Sequence, residues 1–225
     1  MPPDGLEARA RLGRAHLMLL FTPELCPAGR DPLDVLASAL PALDVVQVRV
    51  KDAELGHAAA RASYDWTVRV LERVAAEGSD ALVLVNDRVD VAAALAARGC
   101  AGVHLGADDA PPTLARALLG PAALIGLSTH GARDVSAAAE LPLDYLGFGP
   151  VHATATKGYA RGLGAEAAWI AACATPLPLF PIGGIDATNA GELVEVGRAA
   201  VSTDILRAED PARAAAEIRA ALLED

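Results

Sequence analysis

The most constraining feature of this sequence is an eightfold alternation of short apolar runs with alanine-rich segments of helical period. The apolar runs are nearly continuous, which is typical of parallel strands buried on both faces. The predicted strands cover residues 16–22, 45–50, 81–86, 101–105, 124–128, 144–149, 179–183 and 199–203. We therefore predict an α/β fold, a (β/α)8 TIM barrel. An open doubly wound sheet is the alternative, and it is disfavoured because no Gly-x-Gly-x-x-Gly pattern follows the first strand.

The helices are predicted between these strands. Two of them begin with Asp-Pro, at Asp31 and Asp210, where the aspartate is a helix cap and proline suits the first helical position. The predicted helices cover 32–41, 53–77, 89–98, 112–119, 132–140, 164–174, 187–196 and 211–223. A chain of this length suits one domain of this type. We expect an N-terminal arm or extra helix over 1–15 and a single catalytic barrel over 16–225.

The composition excludes several kinds of partner. The formal net charge is −10, which argues against general binding to nucleic acid or to an anionic membrane. No apolar run reaches the roughly 18 residues that a membrane helix needs, and the N-terminus lacks the apolar segment of a signal peptide. Three widely spaced cysteines are expected to be reduced thiols. We expect a cytoplasmic protein in which any phosphate ligand needs a local basic cluster, with the oligomeric state left open.

In a barrel of this kind the active site lies at the carboxyl ends of the strands. Strand 2 ends in Gln47, Arg49 and Lys51, which alternate and so share one face. Charged side chains at inward positions are costly unless they meet a ligand or a partner. The pattern predicts an anion site, and an ion pair at the barrel mouth is the structural alternative.

Carboxylates follow the next two strands. Asp87 comes directly after strand 3, and Asp108 and Asp109 follow strand 4. Two carboxylates from adjacent strand ends suit one Mg2+, which prefers oxygen ligands and keeps several waters. Helix capping is the alternative, because each of these aspartates precedes a predicted helix.

The late loops carry features of a phosphate site. Ile-Gly-Gly-Ile at 182–185 follows strand 7, and Ser202 and Thr203 follow strand 8. The loops after strands 7 and 8 are the common phosphate site of this fold, and glycine lets backbone N–H groups approach the anion. Close packing of a strand on a helix is the alternative reason for the glycines. The segment 158–164 is predicted to be a lid.

Two histidines lie near this rim. His104, within strand 4, is interpreted as a core residue with satisfied hydrogen bonds, whereas His130 at the mouth is ambiguous. Together, the cations, the carboxylates and the glycine loop at the rim predict binding of a metal-bound diphosphate beside a second phosphate.

With these motifs in order, the chain resembles the thiamine phosphate synthase family over roughly residues 16–222. The match rests on Gln-Val-Arg-Val-Lys at 47–51, Gly-Leu-Ser-Thr-His at 126–130 and Ile-Gly-Gly-Ile at 182–185, together with 86–90, 102–109 and 144–157. The chain departs from the family pattern in having Val50 in place of Glu and Ala107 in place of Gln.

The resemblance implies a substrate and a role for each matching residue. The family joins a hydroxymethylpyrimidine diphosphate to a thiazole phosphate and releases diphosphate by a dissociative mechanism. By resemblance, the pyrimidine diphosphate is bound by Gln47, Arg49, Lys51, Asn86, Ser128 and Lys157, of which Arg49, Lys51, Ser128 and Lys157 are the expected catalytic residues. Asp87 and Asp109 are expected to hold Mg2+. The thiazole phosphate is bound by Thr154, Thr156, Gly184, Ser202 and Thr203.

Two alternatives remain at this point. The related thiazole tautomerase branch is an isomerase on the same barrel; Arg161-Gly162 is similar to its lid, and His130 would serve its proton transfer. The presence of the diphosphate and metal residues favours the synthase, and Mg2+ dependence would separate the two. The second alternative is a phosphate-binding barrel without catalysis.

Overall fold

A computed structural model of the chain describes residues 5–50, 59–153 and 162–224. The strands are β1 Leu17–Phe21, β2 Val45–Val48, β3 Leu82–Asn86, β4 Cys100–Leu105, β5 Leu124–Thr129, β6 Tyr145–Phe148, β7 Leu179–Pro181 and β8 Ala199–Val201. The helices are α1 Gly5–Gly13, α2 Pro32–Ala39, α3 Ala59–Ala76, α4 Val89–Leu95, α5 Pro112–Leu119, α6 Ala132–Ala138, α7 Ala165–Cys173, α8 Thr203–Leu206 and α9 Pro211–Ala221.

The strands form one eight-stranded parallel sheet in the order β7-β6-β5-β4-β3-β2-β1-β8. A parallel bridge between Ile182 and Ala200 brings the two ends of that order together. The sheet is therefore a nearly closed (β/α)8 barrel, and the predicted fold and all eight predicted strands are confirmed. The two Asp-Pro caps are confirmed as well, since Asp31 accepts a hydrogen bond from the Leu33 N–H and Asp210 accepts one from the Arg213 N–H.

Alternation along the strands divides the apolar side chains into two buried clusters. One cluster lies between the sheet and the surrounding helices and includes Leu19, Val46 and Leu146. The other fills the barrel interior with Met18, Leu84, Phe180 and their neighbours, and it also contains Ala8 and Leu12 of α1. Helix α1 therefore packs against the amino-terminal end of the barrel, and this leaves the carboxyl ends of the strands available for a site.

Two aspartates fix the amino-terminal ends of strands. Asp44, just before β2, accepts hydrogen bonds from the backbone N–H groups of His16 and Leu17 at 2.7 and 3.0 Å and from Arg219 at 2.6 Å. Asp144, just before β6, accepts from Ile125 N–H at 2.8 Å, from Arg116 at 2.6 Å and from Arg9 of α1 at 2.7 Å. Such charge-assisted bonds tie each strand to its neighbour and tie α1 to the barrel.

The predicted helix over 187–196 is wrong. The structure has turns and then a 3-10 helix at Ala190–Leu193. Asp186 accepts from the Thr188 and Asn189 N–H groups, and the Asn189 side chain accepts from the Asp186 N–H. Those bonds cap the first turn, whose N–H groups have no partner within a helix, and Gly191 then lowers the helix propensity of the turn that follows.

Candidate active site

A cavity of about 820 Å³ opens at the carboxyl ends of the strands. It is lined by side chains and loops from strands on every side of the barrel. Of the predicted site residues, the structure brings together there Gln47, Arg49, Asn86, Asp87, Asp109, Ser128, Gly184, Ser202 and Thr203. The others, Lys51, Thr154, Thr156 and Lys157, lie outside the described residues, as does most of the predicted lid.

The predicted anion site on β2 begins in the barrel interior and extends to the rim. Gln47 is buried, with 2% of its surface exposed, whereas Arg49 is half-buried just beyond the end of the strand. Burial lowers the pKa of the Arg49 guanidinium, while the nearby carboxylates of Asp87 and Glu24 oppose that shift. A cation that has lost part of its hydration gains most from an anionic ligand, so Arg49 suits an anion at this rim.

Asp87 is held in an uncommon backbone conformation. Its φ is +66°, and among the described residues it is the one non-glycine residue with a positive φ. The Arg88 N–H donates to the Asn86 carbonyl at 2.8 Å, which closes a tight turn around Asp87. The Asp87 N–H donates to the His104 carbonyl at 2.7 Å. A left-handed residue at the centre of so tight a turn is strained, and such strain is concentrated at functional sites. The turn places Asp87 at the cavity wall.

The structure does not support the alternative in which these aspartates cap the helices that follow them. Helix α4 has Arg88 at its N-cap without a side-chain cap bond, and α5 has Pro111 there. Asp109 instead accepts from the Gly106 N–H at 2.7 Å, which closes the loop after β4. Within residues 5–50, 59–153 and 162–224, no group of three or more His, Cys, Asp or Glu side chains could hold a metal ion. From the described part of the chain, a Mg2+ at this rim would find at most two of these side chains as ligands.

The glycines after β7 serve packing as well as access. Gly183 and Gly184 have φ of +103° and +63°, values that L side chains rarely adopt. A Cβ on Gly184 would lie 2.7 Å from the Ala153 carbonyl oxygen, and one on Gly183 would lie 2.7 Å from Cβ of Pro150. The packing alternative therefore accounts for part of the motif, because the loop at 150–153 lies directly against it.

Ser202 and Thr203 differ in what their hydroxyls can do. The Ser202 hydroxyl donates to the Leu20 carbonyl at 2.9 Å, so its proton is already used in the fold. Thr203 begins the short helix α8 and lines the cavity beside it. Of the two, Thr203 has the hydroxyl better suited to donate to a phosphate.

Sequence reasoning missed a buried polar group beneath the cavity. His104 is 8% exposed, in agreement with its interpretation as a core residue, but it also lines the cavity and contacts Ser128 and Tyr145. Tyr145, fully buried on β6, is not among the predicted site residues. The signal that points to it is Gly126 on the neighbouring strand, since a Cβ there would lie 2.1 Å from the tyrosine ring.

Comparisons with known proteins decide the family. The family profile described as thiamine monophosphate synthase matches residues 17–205. This chain belongs to the thiamine monophosphate synthase family. A thiamine-phosphate synthase of Salinispora tropica is 39% identical over 94% of this chain and 98% of its own length. A thiamine phosphate pyrophosphorylase structure from Pyrococcus furiosus superimposes with a TM-score of 0.77 at 30% identity, covering 95% of this chain and 96% of that one.

Some relatives in the family are much longer than this chain. The thiamine-phosphate synthase of Gloeobacter violaceus is 40% identical over 94% of this chain, yet the chain spans only 59% of that protein. The chain therefore matches only part of that protein. No helix among the described residues is long and apolar enough to cross a membrane.

Two further details bear on the family's chemistry. The end of the predicted lid is fixed, because the Leu163 and Gly164 N–H groups donate to the carbonyls of Pro150 and Val151 at 2.8 and 2.9 Å. His130 is exposed at the rim, and its Nδ1 lies 2.6 Å from the Gly149 carbonyl oxygen. A carbonyl only accepts, so Nδ1 carries a proton and Nε2 is the second nitrogen that can exchange one.

Proposed function

We propose that this barrel is a thiamine phosphate synthase, a transferase that joins 4-amino-2-methyl-5-hydroxymethylpyrimidine diphosphate to 4-methyl-5-(2-phosphooxyethyl)thiazole, or to the carboxylate of that thiazole. The observation that supports the proposal is one cavity that is lined both by Arg49, Asp87 and Asp109 and by the Gly184 and Thr203 loops. One side suits a metal-bound diphosphate and the other suits a phosphate monoester. Two anionic substrates then meet over the barrel interior.

With the thiazole phosphate as acceptor, the chemistry breaks one bond and makes one; with its carboxylate, the carbon–carbon bond to the carboxyl group also breaks and carbon dioxide leaves. The bond between the pyrimidine methylene carbon and the diphosphate oxygen breaks, and its electron pair leaves with the diphosphate. The lone pair of the thiazole nitrogen then forms the new carbon–nitrogen bond. In this dissociative order the transition state gains negative charge on the leaving group, so fixed positive charge and hydrogen-bond donors there lower the barrier.

The chain's own residues divide this work. Arg49 neutralises the leaving diphosphate, and Gln47, Asn86 and Ser128 hold the pyrimidine diphosphate by hydrogen bonds. Lys51 and Lys157 are proposed to add charge at the same end, and Thr154 and Thr156 to bind the thiazole phosphate with Thr203, as the family resemblance implies. The remaining requirement is a tight orientation of the two substrates, since a cation intermediate needs no general base.

Mg2+ is proposed as the cofactor. Asp87 and Asp109 line the same cavity from the ends of β3 and β4, and their oxygens are the ligand type that Mg2+ prefers. When bound, the ion would neutralise diphosphate charge and assist its departure. Asp87→Asn and Asp109→Asn are expected to raise the Mg2+ concentration for half-maximal rate by about tenfold or more, the scale of a lost charged interaction.

A matched control for the metal site lies next to it. Asp108 is exposed at the same rim, and Asp108→Asn is expected to leave the Mg2+ titration within about twofold, because an exposed carboxylate adds little. Equal responses of all three variants in a Mg2+ titration of diphosphate release would contradict the assignment of Asp87 and Asp109.

The proposed function is tested by leaving out one substrate or the metal ion at a time. Purified protein is given both substrates, each alone, and both with a chelator, and thiamine phosphate is measured by chromatography. Product that needs both substrates and equals the diphosphate released supports the synthase. Absence of product under every condition overturns it.

One observation favours a second candidate, the isomerase of the same family. His130 lines the cavity and has its Nε2 available for proton exchange with a thiazole carboxylate phosphate. Metal-independent isomerisation that is lost in His130→Gln, without any diphosphate release, would support this candidate in place of the synthase.

A further inference from the structure

Three polar side chains form a continuous hydrogen-bonded chain beneath the cavity, across β6, β4 and β5. Gln47, which also lines the cavity, donates from Nε2 to the Sδ atom of Met18 at 3.6 Å. The Tyr145 hydroxyl lies 2.9 Å from Nδ1 of His104, and Nε2 of His104 lies 2.9 Å from the Ser128 hydroxyl. Ser128 is therefore connected to groups deep in the barrel interior.

Packing in the barrel interior holds the Tyr145 and His104 rings of this hydrogen-bonded set in place. Tyr145 packs edge-on against Phe180, with ring centroids 5.9 Å apart. Gly126 leaves room for the tyrosine ring, and a Cβ on Gly147 would lie 3.2 Å from Cε1 of His104. Because side chains in a packed interior have few alternatives, both rings are held in one orientation.

The direction of the hydrogen bonds is set by which partner donates between Tyr145 and His104. Burial raises the pKa of Tyr145 far above its usual range, so the phenol keeps its proton. When that phenol donates to Nδ1 of His104, the imidazole carries its proton on Nε2 and donates it to the Ser128 oxygen.

We propose that His104 and Tyr145 are positioning residues that hold the Ser128 hydroxyl as a hydrogen-bond donor to the substrate. Since the Ser128 oxygen accepts from His104, its own proton is the one offered to a ligand in the cavity. The inference rests on the proposed function, in which Ser128 contacts the pyrimidine diphosphate. The hydrogen bond donated by Ser128 then strengthens as the departing diphosphate oxygen gains charge, so His104 and Tyr145 act on kcat more than on KM.

A double-mutant cycle separates this role from a merely structural one. Tyr145→Phe is expected to lower kcat roughly tenfold, with KM for the pyrimidine diphosphate within about twofold, because one oriented donor is lost. In a Ser128→Ala background the same change should cost less than about twofold. An equal loss of kcat in both backgrounds, with folding checked by thermal unfolding, overturns the proposal.

A pair of substitutions at His104 tests which nitrogen matters. His104→Gln can place an amide N–H near the position of Nε2, whereas His104→Leu has similar bulk and no donor. The proposal predicts a clearly higher kcat for His104→Gln than for His104→Leu at similar thermal stability. Equal kcat values would contradict it.

Nitrogen NMR of the histidines tests the direction of these hydrogen bonds in the absence of turnover. In protein with labelled histidine, His16 and His130 are internal references for the Nδ1–H form, since each Nδ1 lies 2.7 or 2.6 Å from a carbonyl oxygen. His104, assigned by its loss in His104→Gln, is expected in the Nε2–H form. An Nδ1–H form overturns the proposal even if the enzyme is active, whereas a wild-type protein that makes no thiamine phosphate refutes the proposed function separately.

Discussion

At the scale of single residues, the two hydroxyls after β8 make a matched pair. The Ser202 hydroxyl is bonded to the Leu20 carbonyl, and Thr203 lines the cavity beside it. We expect Thr203→Val to raise KM for the thiazole phosphate about tenfold, since a hydrogen bond to a charged group is worth about 1.5–3 kcal/mol. Ser202→Ala should instead lower stability by about 1 kcal/mol and change KM little. A larger KM effect at Ser202 would contradict this division.

The carboxylate of Asp44 gives a residue-scale prediction about pH. Burial raises its pKa, but hydrogen bonds from Arg219, Leu17 and His16 outweigh burial and leave the pKa below its ordinary value of 3.8. A carboxylate with a depressed folded-state pKa stabilises the fold above its unfolded pKa, and that stability is lost as the pH falls through the folded pKa. Asp44→Asn should therefore destabilise the protein at pH 7 and do so less near pH 3.

Urea unfolding at both pH values measures the Asp44 effect. Asp34→Asn is the control, because Asp34 pairs with Arg73 but its side chain is 71% exposed, and such pairs contribute less than about 1 kcal/mol. A loss at Asp44 that is the same at both pH values would exclude ionisation as its cause.

At the scale of elements, α1 joins the barrel interior although it precedes the first strand. Leu12 is 1% exposed within the interior cluster, whereas Leu6 on the same helix is 80% exposed. Leu12→Ala is expected to cost about 2–5 kcal/mol of unfolding free energy, and Leu6→Ala less than about 0.5 kcal/mol. Urea unfolding measures both, and KM should be unchanged because α1 lies at the end opposite the cavity. Equal costs would mean that α1 does not pack on the barrel as described.

The elements also show where sequence patterns are sufficient. The eight apolar runs predict the strands because burial on both faces leaves a pattern that is visible along the chain. The helix predicted over 187–196 is wrong: the turn there is fixed by reciprocal bonds between Asp186 and Asn189, which depend on exact side-chain geometry. Apolar periodicity contains no information about such side-chain bonds.

At the scale of the whole molecule, barrel topology explains why the rim is predictable from the sequence and the interior is not. All strands of a parallel barrel end at the same face, so residues just after each strand, such as Arg49 and Asp87, must meet. The contacts of His104 with Tyr145 and Ser128 cross between strands far apart in sequence. They depend on strand register and on the space left by Gly126, which no local pattern specifies.

The most direct test of the account is thiamine phosphate formation by the wild-type protein beside an Arg49→Met variant of similar side-chain length. We predict that the wild type forms product from both substrates in step with diphosphate release, and that Arg49→Met folds normally but loses at least about a hundredfold in kcat/KM, the scale of a lost transition-state charge contact. A wild type without product, or an Arg49→Met variant as active as the wild type, would contradict the claim that this cavity performs the reaction.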